Sequence, residues 1–217
     1  MPDESTYQRL STAITAGEKD KLAAAIEAAL KGGMTPTDII EKGMSPGMKD
    51  VGEKFSRYEI YLPEMMLAAE AWENAMKILE PKLLETGTER QKAGRVVLGT
   101  VKGDVHSIGK NIVGAMMKMS GFEVFDLGID VAASAFVTKA EETGADIIAA
   151  SALMSTTMPQ QKSIIEHLEA RGARGKYRVL IGGGSTSQEW ADSIGADGYG
   201  RTAGDAAALA LKAVAKK

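Results

Sequence analysis

The sequence predicts a small all-α helical bundle over residues 1–88, followed by a doubly wound α/β domain with five parallel strands over residues 89–217. Two observations carry this prediction. Up to about residue 86, apolar residues recur only at helical spacing. After the polar segment at 85–94, which we interpret as the linker, short apolar segments alternate five times with helical ones, which is typical of a parallel sheet with helical connections.

The helices of the first part have start and stop signals. The apolar residues of "EKDKLAAAIEAALKGG" lie at helical spacing, and Gly32-Gly33 ends that helix. Thr35-Pro36 and Ser45-Pro46 each place a capping hydroxyl before a proline, which predicts a helix start. Pro63 begins the last helix. Four to five short helices in about 80 residues predict a packed bundle.

The second part alternates strands and helices. Strands are predicted at 95–101, 122–128, 145–153, 177–183 and 196–200, and helices at 109–120, 131–143, 158–171, 187–194 and 203–216. Most of the strand segments are short and nearly continuously apolar, as buried parallel strands are. Ligands of such sheets bind at the carboxyl ends of the strands, so the loops at those ends are the candidate site.

Composition excludes several classes of function. The 217 residues carry a formal net charge of −3 and no basic patch, so we expect no nucleic acid partner. No apolar run is long enough to span a membrane, and the polar N-terminus is not expected to be a signal peptide. The sequence has no cysteine, which excludes disulfides and thiolate metal sites and fits a cytoplasmic protein.

The loop after the first strand, "KGDVHSIG", contains one of the two histidines of the chain. In an extended loop, Asp104 and His106 point the same way, so the carboxylate can accept the Nδ1–H of the imidazole. Nε2 is then free to bind a metal. Gly109 lets the backbone pass close to a bulky group. For an isolated Asp-x-His pair, a loop hydrogen bond is the simpler interpretation. The other histidine, His167, is predicted to lie on a solvent-facing helix.

Two further loops follow the third and fourth strands. "SALMSTTMP" supplies hydroxyls that could contact a ligand or Asp104, or could cap the next helix. "IGGGSTS" exposes bare backbone over the sheet, or forms a tight turn.

Together these loops resemble a known family. D-x-H-x-x-G at 104–109, S-x-L at 151–153 and G-G at 182–183 resemble the signature of the cobalamin-binding domain shared by methionine synthase and the corrinoid methyl-carrier proteins. The spacing between the three motifs also matches. Residues 47–76 resemble the helical cap of this family, so the resemblance covers nearly the whole chain. It is closest to the corrinoid proteins of methylotrophic methanogens and acetogens.

The resemblance implies a Rossmann- or flavodoxin-like cobalamin-binding domain preceded by a helical cap. The cobalamin would bind with its own base detached from cobalt and with His106 as the lower axial metal ligand. Asp104 and Thr157 would complete a catalytic chain of His, Asp and hydroxyl groups. A branched side chain at Gly183 is expected to fill the slot for the nucleotide tail of the cofactor. The implied cofactor contacts are Asp104, Val105, His106, Ser107, Ile108, Gly109, Ser151, Leu153, Ser155, Thr157, Gly182, Gly183 and Gly184, with Phe55, Leu62 and Met65 in the cap.

The implied function is a corrinoid protein that carries a methyl group on cobalt between a substrate-specific methyltransferase and a second, corrinoid:acceptor methyltransferase. A reductive activase is a further candidate partner, and we expect no turnover by the isolated chain. A cobalamin-dependent sensor is the main alternative. The binding subunit of a mutase would lack the helical first part, and a flavodoxin-like protein would lack the charged first loop.

Overall fold

The computed structural model describes residues 4–85 and 93–215. The chain forms two compact units, residues 1–91 and 92–217. The predicted boundary between residues 88 and 89, and most of the predicted linker, lie outside the described residues. Within the described ranges no helix is both long and apolar enough to cross a membrane.

The first unit is helical, as predicted. Its helices are α1 (Glu4–Thr15), α2 (Lys19–Lys31), α3 (Pro36–Asp38), α4 (Ser45–Ser56) and α5 (Leu62–Glu85). Their apolar faces form a core in which Leu10, Ile14, Leu22, Ile26, Met48 and Leu79 are almost completely buried. Tertiary packing of these faces, more than intrinsic propensity, stabilises helices this short.

The Thr35 start signal is confirmed, whereas Ser45 does not cap a helix. Thr35 accepts a hydrogen bond from the amide of Asp38. From there the chain stays helical, through a π-helical turn at Ile39–Met44, into α4. Pro46 has no N–H for the carbonyl four residues earlier, and the wider turn before it accommodates the proline without ending the helix.

The second unit alternates strands and helices in the predicted order. The strands are β1 (Gly94–Thr100), β2 (Phe122–Asp126), β3 (Ile147–Ser151), β4 (Arg178–Gly182) and β5 (Gly198–Gly200). The helices are α6 (Ile108–Met119), α7 (Ala133–Thr143), α8 (Pro159–Ala170), α9 (Gln188–Ile194) and α10 (Ala203–Val214).

The five strands form one parallel sheet in the order β2-β1-β3-β4-β5. The chain leaves β1 toward one side for β2 and returns to the other side for β3. This change of direction opens a crevice between the carboxyl ends of β1 and β3, where ligands of open α/β sheets bind. The loop with His106 follows β1, and the loop with Thr157 follows β3.

Alternate side chains of the strands build two apolar layers. Val96 and Leu98 pack with residues of α6 and α10, such as Met117 and Ala206. Val97, with its neighbours on the opposite face, packs in the cluster formed with α7, α8 and α9. Both faces of the sheet are therefore covered, which explains the nearly continuous apolar runs in the strands.

Gln161 in α8 links the ends of two central strands. Its side chain is completely buried. Its Nε2 donates to the carbonyls of Ala150 and Gly182, at 3.0 Å in each case. Its Oε1 accepts the indole N–H of Trp190 at 3.0 Å. The side-chain amide of Gln161 thus satisfies two carbonyls and one indole N–H. It also holds the end of β4, where the loop with the glycines at 182–184 starts.

Gln161→Ala should therefore destabilise the α/β unit. It leaves two carbonyls and an indole N–H without this partner, and each unsatisfied buried group costs about 1–3 kcal/mol. We expect the free energy of unfolding, measured with urea, to fall by about 2–4 kcal/mol. Gln160→Ala, one residue earlier on the same helix, is the control and should change it by less than about 0.5 kcal/mol. Equal effects of the two substitutions would contradict this role.

Candidate functional site

A cavity of about 320 Å³ lies between the sheet and helices α6 and α10, toward the carboxyl ends of the strands. Small residues form part of its wall, among them Ala149, Gly182, Gly200 and Ala206. A Cβ on Gly200 would lie 2.8 Å from the Cβ of Ala206, so close packing requires this glycine. The larger apolar residues of its wall are Leu98, Val113, Met117 and Leu180. The cavity can therefore accept an apolar or flat group through the edge of the sheet.

His106 lies at this cavity on a loop that is fixed at several atoms. The buried hydroxyl of Thr100, the last residue of β1, donates to the carbonyl of His106 at 2.8 Å. The amide of His106 donates to Oδ1 of Asp104 at 3.1 Å, and Nδ1 lies 2.7 Å from the same oxygen. This is the pairing that the spacing predicts. Because the carboxylate is the acceptor, Nδ1 carries the proton and Nε2 has its lone pair available.

Asp104 is completely buried, and its two oxygens are the convergence point of the site. Besides His106, the Thr157 hydroxyl at 2.7 Å and the amides of Leu153 at 2.8 Å and Met154 at 3.3 Å donate to Oδ2. Burial alone raises the pKa of the Asp104 carboxyl. The hydrogen bonds from Thr157, His106 and Leu153 outweigh this effect and hold the pKa well below its usual range. Asp104 is therefore an anion at neutral pH.

A second carboxylate, Asp130, ties the histidine loop to the loop after β2. Asp130 has a φ of 55°, in the left-handed region that a non-glycine residue adopts only at a cost. Its Oδ1 accepts the Gly103 amide at 2.7 Å, its Oδ2 accepts the Lys102 ammonium at 3.0 Å, and its own amide donates to the carbonyl of Asp104 at 2.9 Å. These bonds fix the backbone on either side of Asp104.

The surface around His106 is apolar and exposed. Val105 and Ile108, on either side of the histidine, are 64% and 68% exposed. The other large apolar residues exposed in neighbouring loops are Ile129, Leu153 and Met154. Such a group of exposed apolar side chains marks a binding surface.

Among the described residues that line the cavity, His106 supplies the one imidazole, which is the candidate metal ligand. Among the described residues there is no group of three or more His, Cys, Asp or Glu side chains that could hold a metal ion. Within the same ranges no hydrogen-bond partner of Nε2 is found, and the His106 side chain is 47% exposed. One open imidazole nitrogen amid an apolar surface suits a metal whose other positions are filled by a flat organic ligand. The residues present therefore fit a metal-containing macrocycle.

The glycines of the site have two different functions. A Cβ built on Gly109, which borders the cavity, would meet no atom within 4 Å, so this glycine leaves space open. A Cβ on Gly183 would lie 2.0 Å from the carbonyl oxygen of Ala152, and its φ is 121°. The sequence predicts that a side chain at position 183 would fill space needed by a ligand. In the structure the backbone of Ala152 occupies that space, so the close contact with Ala152 requires the glycine.

The structure brings most of the predicted contact residues together at the carboxyl edge of the sheet. Those that line the cavity are His106, Gly109, Ser151, Leu153, Gly182, Gly183 and Gly184. Asp104 and Thr157 are buried behind the histidine. Val105, Ser107, Ile108 and Ser155 lie in the same loops but do not line the cavity, and Ser155 is exposed. The alternative function of the hydroxyls, capping α8, is not found, since no side chain caps its N-terminus.

The three predicted contacts in the helical unit differ in exposure. Met65 is completely buried, whereas Phe55 and Leu62 are partly exposed. Their contact with a cofactor stays a prediction. His167 is exposed on α8, as predicted.

Two cationic residues of the cavity, Lys110 and Arg201, were not expected from the sequence. Lys110 follows the D-x-H-x-x-G motif directly, but its place on the buried side of α6 depends on packing. Arg201 follows the last strand, where the rule for strand ends already points to a ligand site. Nothing in the local sequence marks it further.

A five-stranded parallel sheet in this order, with an open imidazole at its switch point, fits a class of domain that binds a metal-containing macrocycle. A family model described as "B12 binding domain" matches residues 94–208, and a second model of the same description matches residues 6–80. The chain therefore belongs to the B12-binding family, and its cofactor is a corrinoid such as cobalamin.

Individual proteins support the same assignment. The chain is 46% identical to a corrinoid protein of Desulfitobacterium hafniense, over 98% of this chain and 99% of that protein. It is 47% identical to a dimethylamine corrinoid protein of Methanosarcina acetivorans, over 95% of each. Among solved structures, a chain of the methanol:cobalamin methyltransferase complex from Methanosarcina barkeri matches with a TM-score of 0.90 and 30% identity, covering 100% of this chain and 82% of that chain. The predicted fold is confirmed.

Thr157→Val should destabilise the α/β unit, because it removes one hydroxyl donor from the buried Asp104 carboxylate. We expect a loss of about 1–3 kcal/mol in the free energy of unfolding, measured by urea denaturation of the protein without cofactor. Thr157→Ser keeps the hydroxyl and should restore most of that loss. If valine and serine behaved alike, the hydrogen bond to Asp104 would not matter for stability.

Gly109→Phe should reduce corrinoid affinity without unfolding the protein, because its side chain would extend into open space beside the cavity. Overpacking typically costs about 1–3 kcal/mol. We therefore expect the dissociation constant of hydroxocobalamin, measured by visible spectroscopy, to rise roughly tenfold to 100-fold.

Gly175→Phe is the matched control for this substitution. Its Cβ also meets open space, but Gly175 does not line the cavity. An equal loss of affinity in both variants, or none in Gly109→Phe, would show that position 109 does not border the bound corrinoid.

Proposed function

We propose that this chain carries a methyl group on the cobalt of a corrinoid, between a substrate-specific methyltransferase and a second methyltransferase, and that the corrinoid binds base-off with His106 as its lower axial ligand. The observation that carries the proposal is the imidazole of His106, held at Nδ1 by Asp104 and open at Nε2. Metal-binding histidines typically donate the N–H of their other ring nitrogen to a carboxylate in this way.

When bound, a corrinoid would supply a cobalt ion that can accept and release a methyl group. His106 would bind that cobalt through Nε2. Asp104 keeps the proton on Nδ1 and fixes the plane of the imidazole ring, and Thr157 in turn fixes Asp104. The exposed side chains of Val105 and Ile108 would lie against the corrin and exclude water from the metal ligand.

With the cofactor's own base off the cobalt, the nucleotide tail needs a place of its own. The cavity beside His106 offers one, bordered by Ser151 and by backbone at Gly182 and Gly200. Glycine and alanine leave the backbone accessible there, so a flat base can lie between the sheet and α6. Ser151 supplies a hydroxyl at the wall for a polar atom of the base.

The names of the relatives favour methylamines as the source of the methyl group. Several of them are called dimethylamine or trimethylamine corrinoid proteins, at 40–47% identity. We propose that the first partner is a methylamine methyltransferase and that exchange takes place in the cytoplasm. A reductive activase, which would restore oxidised cobalt, stays a prediction.

The axial ligand can be tested by electron paramagnetic resonance of the Co(II) form. The chain has only two histidines, so in a His167→Gln background ¹⁵N-labelled histidine places the isotope at position 106 alone. The coupling from one axial nitrogen should change from the ¹⁴N to the ¹⁵N pattern. If an unchanged ¹⁴N pattern were observed, the axial nitrogen would come from the cofactor's own base, and the proposed binding mode would be wrong.

The carrier role can be tested with ¹³C-labelled methylamines. The corrinoid-loaded, reduced protein should acquire about one labelled methyl group per chain only when a methylamine methyltransferase is added, because in this proposal the methyltransferase activates the amine and this chain only holds the cofactor. Label in the absence of the methyltransferase would show that the chain turns over alone. A loaded protein that acquires no methyl group from methylamines, methanol, methyl thioethers, betaines or aryl methyl ethers, each with its methyltransferase, would instead favour a sensor.

A further inference from the structure

The cavity beside His106 carries an excess of positive charge. Among the described residues that line it, Lys110 and Arg201 are cationic, and none is Asp or Glu. A cavity that served only to bury an apolar base would not need such residues, because charged groups at an apolar site must be desolvated. A ligand can bind only to a cation that the protein has not already paired.

The charge of Lys110 is already balanced within the protein. The side chain is only 2% exposed, and its Nζ donates to Oδ2 of Asp126 at 2.5 Å and to Oδ1 of Asn111 at 2.8 Å. A buried ammonium with two such acceptors is a paired structural group. Lys110 thus closes the wall of the cavity without adding net charge to it.

Arg201 has no such partner. It lies in the loop between β5 and α10, it is exposed, and within the described ranges its guanidinium makes no ion pair or hydrogen bond. Because guanidinium groups stay protonated at neutral pH, Arg201 adds one positive charge to the lining of the cavity, and no described residue pairs with it.

The start of α10 adds hydrogen-bond donors beside Arg201. The capping box joins Thr202 and Asp205, whose side chains accept each other's backbone amides at 3.1 and 3.0 Å. The amides of Ala203 and Gly204, in the first turn, have no intrahelical acceptor. Ala203 lines the cavity with Arg201. A guanidinium and free first-turn amides together are suited to an anion.

We propose that Arg201, with the first-turn amides of α10, binds the phosphodiester in the nucleotide tail of the corrinoid. This inference rests on the proposed function, in which the tail occupies the cavity. The peripheral side chains of cobalamin are neutral amides, and the phosphodiester is its one anionic group. Its single negative charge matches Arg201, the one cation of the cavity that has no partner among the described residues. Arg201 is therefore a residue that distinguishes complete corrinoids from those that lack the phosphate.

Three corrinoids separate the phosphate from the rest of the cofactor. Cobinamide has the corrin ring but neither phosphate nor base, cobinamide phosphate adds the phosphate alone, and cobalamin has both. Dissociation constants would be measured by visible spectroscopy for the wild type and Arg201→Gln. We expect Arg201→Gln to weaken cobalamin and cobinamide phosphate by roughly tenfold and to leave cobinamide unchanged. Lys212→Gln, an exposed charge removed farther along α10, should change none of the three.

The opposite outcomes are equally distinct. An equal loss for all three ligands would show that Arg201 contacts the ring or supports the fold. If Arg201→Gln weakened the binding of none of the three corrinoids, the proposal would be wrong, and Arg201 would instead be a candidate contact for a protein partner. The effect of Arg201→Gln on these affinities does not depend on whether His106 binds cobalt, which the nitrogen coupling in the electron paramagnetic resonance experiment tests. A failure of this proposal can therefore be distinguished from a failure of the proposed binding mode.

Discussion

The site depends on one buried anion, the carboxylate of Asp104. Its two oxygens accept five hydrogen bonds, from the amide and imidazole of His106, the amides of Leu153 and Met154, and the hydroxyl of Thr157. These donors belong to the loops after β1 and β3, so a single group joins the two sides of the switch point. An anion buried without such donors would be very costly, and with them it becomes the most strongly fixed point of the site.

A second constraint is steric. The cavity of about 320 Å³ between the sheet and helices α6 and α10 is bordered by small residues such as Ala149 and Ala206. Around it the backbone is tightly held, by Gln161 at the end of β4 and by Ala152 against Gly183. A preformed cavity of this kind avoids the ordering cost that a flexible loop would add on binding.

Much of the fold and the centre of the site could be predicted from the sequence. Asp104 and His106 lie two residues apart in one loop, so their hydrogen bond is local and their spacing alone indicates it. The strand-end rule indicated that a hydroxyl of "SALMSTTMP" could contact Asp104, but only the family resemblance selected Thr157, because 53 residues separate it from Asp104. Thr100, Asp130 and Gln161 bear no motif, and their importance follows from long-range contacts that residue type does not reveal.

The sequence by itself determined the order of helices and strands, the parallel sheet, and the loops that carry the site, because periodicity and strand ends are properties of short segments. Only the tertiary structure decided that the chain passes through the π-helical turn at Ile39–Met44 into α4 without a break and that Gly183 is required by Ala152. It also decided that Lys110 is paired, whereas Arg201 has no ion pair among the described residues. Each of these depends on which atoms from distant segments occupy the same space. A residue pattern along the chain does not show these contacts, because they form only when the segments pack.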